Sequence, residues 1–130
     1  MYLIDTNIFL EVLLARKRKG KCKKFLKLLE KGKLEGVVTD FSLHSIIVLM
    51  DHYKKLDKLY IFLSSLTRYK GLHVYTTSIV DELNAVKNAL DNNLDMDDAI
   101  QYTVALKLNA KDIVSYDKHF NNLKIPRIEP

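Results

Sequence analysis

The chain is poor in the residues that staple or punctuate a fold: 130 residues carry one cysteine, two prolines, four glycines and no tryptophan. A single cysteine excludes an intramolecular disulfide and a cysteine-built zinc cluster, and it suits a reducing setting. Four scattered glycines leave no glycine-rich phosphate loop, and no nucleophile elbow surrounds any serine. The histidines His44, His52, His73 and His119 lack the spacing of a zinc site, and His119 reads as a surface side chain within reach of phosphate. Nothing approaches the roughly 18 consecutive apolar residues of a membrane span. The run Ile8 to Ala15 contains Glu11 and has no basic stretch ahead of it, unlike a signal peptide. The expectation is a soluble, cytoplasmic protein with no membrane partner.

What is present points to one α/β domain over residues 1–130. Apolar residues make up 48% of the chain, enough for a core at this length and too many for disorder. Lys and Arg outnumber Asp and Glu by 21 to 16, and the net charge of +5 favours an acidic partner such as nucleic acid. Ten of the 21 cations fall between Arg16 and Lys33. Cys22, Phe25, Leu26 and Leu29 are spaced through that stretch as the apolar stripe of a helix, which leaves the lysines on its other face. That face is either a plain solvated surface or a nucleic-acid footprint.

Short β-branched or apolar runs alternate with helical patterns. Strands are expected at Met1 to Ile4, Gly36 to Thr39, Leu72 to Tyr75, Asp112 to Ser115 and, at an edge, Lys124 to Ile128. Helices are expected from Ile8, through the basic stretch, from Phe41 to Tyr53 with Asp40 as cap, and from Leu56 to Lys70. Another follows the Ser78/Asp81 capping-box pattern with Leu83, Val86 and Leu90 on one side. The last runs from the acidic turn Asp95-Met96-Asp97-Asp98 to Leu108. Tyr116 to Phe120 reads as a turn or short helix. This order predicts a mainly parallel central sheet.

In such a sheet ligands bind beyond the carboxyl ends of the strands. Asp5 ends the first strand, Asp117 follows the fourth, and Asp98 lies in the first turn of a helix. Helix caps and turn chemistry account for single aspartates at such places. Gathered in one cleft, the three would repel one another and resist ionisation unless a hard divalent cation, Mg²⁺ or Mn²⁺, joined them.

Leu3-Ile4-Asp5-Thr6-Asn7, then Asp98-Ala99 opening a helix, then Val114-Ser115-Tyr116-Asp117-Lys118-His119-Phe120, resemble the PIN-domain family and especially its small toxin ribonucleases. The resemblance implies a three-layer α/β/α sandwich, an Mg²⁺- or Mn²⁺-dependent endoribonuclease, a homodimer and an antitoxin partner. It assigns Asp5, Asp98 and Asp117 to the metal and to catalysis, with Asn7 and Ser115 as polar supports. Lys17, Arg18 and Lys118 become phosphate contacts, and Tyr116 a base-stacking surface. The pattern breaks at Ser45, which stands where the family usually has a third-helix glutamate. A serine supplies no charge, so Asp40 or Glu82 would have to compensate. Otherwise the chain is a weakened PIN-fold module that binds RNA or protein without cutting.

Overall fold

Successive residues of a strand face opposite sides of a sheet, and that alternation sorts this core into two layers. The computed structural model describes residues 1–130. Its elements are β1 (Tyr2–Ile4), α1 (Thr6–Leu13), α2 (Lys19–Glu30), β2 (Gly36–Thr39), α3 (Asp40–His52) and α4 (Leu56–Leu66). Then follow β3 (Leu72–Tyr75), α5 (Ile79–Asn92), α6 (Met96–Lys107), β4 (Asp112–Val114), a 3-10 turn (Lys118–Phe120) and β5 (Arg127–Ile128). Ile4, Val38 and Val114 point into the core under α1 to α4, and Leu3, Val37 and Ile113 point into the core under α5 and α6. The result is the expected α/β/α sandwich.

All strand pairs are parallel, and the order across the sheet is β3-β2-β1-β4-β5. The last strand is shorter than expected, two residues after Pro126, whose carbonyl still accepts the Ile113 amide at 2.8 Å. No helix is long and apolar enough to cross a membrane.

The basic helix α2 behaves as its pattern predicts. Cys22, Leu26 and Leu29 are buried while Lys21, Lys23, Lys24 and Lys27 are exposed. Helix α3 is capped differently: Thr39 Oγ1, not Asp40, accepts the Ser42 amide at 3.0 Å. Asp40 instead accepts from the amide and hydroxyl of Thr77 at 3.1 and 2.9 Å, tying α3 to the turn before α5.

The Ser78/Asp81 capping box is present. Burial works against the Asp81 charge, but hydrogen bonds from Ser78, Tyr75 and Lys107 hold its carboxyl well below the usual range. The expected apolar stripe of α5 is real but faces outward. Leu83 and Leu90 are 60% and 80% exposed, and the residues that helix buries are Asp81 and Ala85.

Gly71 is the tightest backbone approach. Its amide donates to Leu29 and its carbonyl accepts from Gly36, at 2.8 and 2.7 Å. A Cβ there would lie 2.0 Å from the Leu34 carbonyl oxygen, whereas Gly20 on α2 has open space. Gly71→Ala therefore lowers unfolding free energy in urea by about 2 kcal/mol or more. Gly20→Ala raises it by about 0.5 kcal/mol through backbone entropy alone.

Candidate active site

The strand order reverses at β1. The chain builds outward through β2 and β3, then returns to lay β4 on the other side of β1. Loops leaving β1 and β4 must part in opposite directions, and the gap between them is the binding crevice of this kind of sheet. Asp5 is the first residue beyond β1, while Ser115 and Asp117 follow β4. The acidic start of α6 brings Asp97 and Asp98 to the same place.

Asp5 occupies the N-cap position of α1 yet closes no capping hydrogen bond. Its Oδ2 accepts instead from Ser115 Oγ at 2.6 Å, and it is buried. The same Ser115 oxygen accepts the Asp117 amide at 2.8 Å, so one hydroxyl ties the two strand-end acids together. Asp117 caps the following 3-10 turn by accepting the His119 amide at 2.8 Å. On α6 the cap is Asp95, which accepts the Asp98 amide at 2.9 Å. Asp98 is thereby left free of any capping duty. Its Oδ2 is buried and has no hydrogen-bond partner. Carboxylate and imidazole ligand atoms of Asp98, Asp117 and His119 lie within 4.8 Å of one another.

The electrostatics follow from this crowding. Burial first, and then the charges of Asp95, Asp117, Asp5 and Asp97, push the Asp98 carboxyl up to about 7. Burial, aided by Asp5 and Asp95, raises Asp97 to about 6. Burial also raises Asp5, opposed by hydrogen bonding from Ser115 and Gln101. Gln101 is fully buried beneath the cluster, and its Nε2 also reaches Asp97 Oδ1 in a long contact of 3.4 Å. A pit that resists its own charge fits a hard cation with oxygen donors.

Asp97 and Gln101 were not singled out by sequence reasoning. The signal was there in the helical spacing, since residues three and four apart share a face of α6. Of the two acids expected to replace the missing glutamate, Asp40 is engaged with Thr77, and Glu82 lies on α5 in a groove with Phe41 and Ile100. The additional charges that act on Asp98 come from Asp95 and Asp97.

Ser45 is half-buried, and its hydroxyl turns back to its own helix, donating to the Phe41 carbonyl at 3.1 Å. Asn7 is exposed in the first turn of α1, beside Asp5. Lys17, Arg18 and Lys118 are exposed. Arg18 stacks on the Tyr116 ring at 4.0 Å, and the Tyr116 hydroxyl is buried. That face of the ring is therefore covered, and the flat surface next to it is the guanidinium.

Fold and crevice together define a parallel α/β/α protein with an acid-lined pit at its switch point. The model of the PIN domain matches residues 1–119. The chain belongs to the PIN-domain family. No curated protein matches it in sequence. Among solved structures it is similar to VapC20 of Mycobacterium tuberculosis, described as a sarcin-ricin loop cleaving toxin, at 13% identity with TM-score 0.80, covering 100% of both chains. It is also similar to a toxin–antitoxin complex from Klebsiella pneumoniae, at 18% identity and TM-score 0.72, covering 100% of this chain and 98% of the other. A third likeness is to VapBC2 of Rickettsia felis bound to promoter DNA, at 17% identity and TM-score 0.72, covering 98% and 97%. At such identities the likeness is one of fold.

Raised carboxyls make stability depend on pH in a stated direction. Groups held above their ordinary value contribute stability when protonated and lose it as the pH climbs through about 6 and 7. In chelator, the melting temperature falls as pH rises from about 5 to about 7.5. Asp98→Asn flattens that slope and melts higher than wild type at the alkaline end. A wild-type profile that rises over this window contradicts the assignment.

Proposed function

We propose that this PIN domain is a divalent-metal-dependent endoribonuclease and the toxin of a toxin–antitoxin pair, acting in the cytoplasm. The observation that supports the reading is Asp98 Oδ2, buried and lacking a hydrogen-bond partner, with a ligand atom of Asp117 within 4.8 Å and the charge of Asp5 near enough to act on it. In this reading Asp5, Asp98 and Asp117 hold Mg²⁺ or Mn²⁺. Such an ion supplies charge for a phosphodiester oxygen and acidifies an attacking water.

The chain's own residues do the rest. Ser115 fixes the rotamer of Asp5 and the start of the Asp117 turn. Asn7, exposed at the N-terminus of α1, offers an amide to a water or a phosphate oxygen. Arg18, Lys17 and Lys118 meet the RNA backbone, so binding weakens steeply with salt. Asp97 adds negative charge to a site whose third helix carries Ser45 in place of an acid.

Partners are read from two apolar surfaces. The outward stripe of α5, with Ile79, Leu83 and Val86 beside Phe41 and Ile100, suits burial against a second copy of the chain. A groove between α1, α2 and α4 has Phe9, Leu26 and Phe62 in its wall and Lys19, Lys23 and Lys58 among its lining. That combination suits an amphipathic acidic segment of an antitoxin.

The Ser45 geometry favours a second reading, a PIN-fold module that binds RNA or protein without cutting it. Cleavage of structured RNA with Mn²⁺ or with EDTA separates the two. The nuclease reading expects Mn²⁺-dependent cleavage that Asp5→Asn and Asp98→Asn each lower by about 100-fold or more. Equal cleavage by all three proteins would expose a contaminating nuclease. RNA binding without Mn²⁺-dependent cleavage assigns the module.

A further inference from the structure

His119 has the surface position that its sequence context suggests, with 72% of its side chain exposed. Its ring nevertheless turns inward to the acids. Nδ1 lies 3.2 Å from Asp117 Oδ1 and 3.5 Å from Asp98 Oδ2, the buried oxygen that no hydrogen bond reaches. Backbone geometry fixes this approach. Asp117 Oδ1 holds the His119 amide, and the next residue, Phe120, is fully buried under α6. The turn is thus pinned on both sides of an otherwise free imidazole.

Those separations resemble the spacing of neighbouring donors around one small ion. With metal–ligand bonds of about 2.1 Å, donors at right angles sit about 3 Å apart. Two carboxylate oxygens and one imidazole nitrogen lie within 4.8 Å of one another. Mg²⁺ favours oxygen and retains its water, whereas transition ions accept imidazole readily.

We propose that His119 Nδ1 is a metal ligand beside Asp98 and Asp117, and that this nitrogen makes the site select Mn²⁺ or Co²⁺ over Mg²⁺. The proposal rests on the metal-dependent reading of the same site. It gives the ion a fourth protein donor beside Asp5, Asp98 and Asp117, from the turn that follows β4. The rival for the same contact is a charged imidazole that only neutralises the carboxylates, a role that ends when an ion arrives.

Mn²⁺ binding to the full chain, followed by calorimetry and by pulsed electron spin resonance, tests this without reference to cleavage. The expected result is nitrogen modulation from a directly bound imidazole in wild type, absent in His119→Ala and in His119→Gln, which offers oxygen alone. Both variants lower Mn²⁺ affinity by about tenfold or more and change Mg²⁺ affinity by less than about threefold. Mn²⁺ bound without nitrogen modulation overturns the ligand assignment and leaves the nuclease reading standing. A counter-ion role would show as His119→Ala binding Mn²⁺ more tightly than wild type, which also overturns it. Failure of wild type to bind Mn²⁺ at millimolar concentration overturns both.

Discussion

Repulsion among carboxylates buried at one end of the sheet is the constraint on which the rest of this structure turns. Asp5 and Asp98 are almost wholly removed from water, and Asp117 and Asp97 stand close enough to oppose their charge. No packing argument favours such a grouping. Apolar side chains of similar volume would fill the space at lower cost. An arrangement that spends stability in one small region is the mark of a site kept for its chemistry.

The fold produces this crowding by connectivity. Because β4 returns to pair with β1, the ends of two strands distant in sequence fall side by side. Ser115 then locks them with one hydroxyl that donates to Asp5 and accepts from the Asp117 amide, across 110 residues of chain. Helix α6 packs its small residues Ala99 and Ala105 against the sheet, which allows its acidic first turn to approach closely. Meanwhile Asp95 takes over the capping role and releases Asp98 for the pit. Much of the positive charge sits on the exposed face of α2, and Arg18 lies over the Tyr116 ring rather than on the acids.

Much of this was legible in the residues. Alternation of short apolar runs with 3.6-residue periodicity predicts the mainly parallel α/β sheet, the family resemblance adds the sandwich, and aspartates at the ends of two strands point to the crevice. The capping box at Ser78 and the buried stripe of the basic helix are local patterns, and local patterns survive into the fold. Errors arose where the outcome depends on what lies across the gap. Thr39 and Asp40 are both good caps, and only the nearby Thr77 decides which one caps and which one braces. Leu83, Val86 and Leu90 define a face of α5, but periodicity says nothing of whether this chain or another covers it. His119 is two residues from Asp117, and the 3-10 turn that swings its ring over Asp98 has no signature in composition.

The proposed nuclease chemistry requires one ion bound in the pit between β1, β4 and α6. Anomalous diffraction at the manganese edge from a crystal soaked in MnCl₂ reads that location directly. The predicted result is a single strong peak enclosed by the carboxylates of Asp5, Asp98 and Asp117. A pit holding only water, with manganese elsewhere or nowhere, would contradict it.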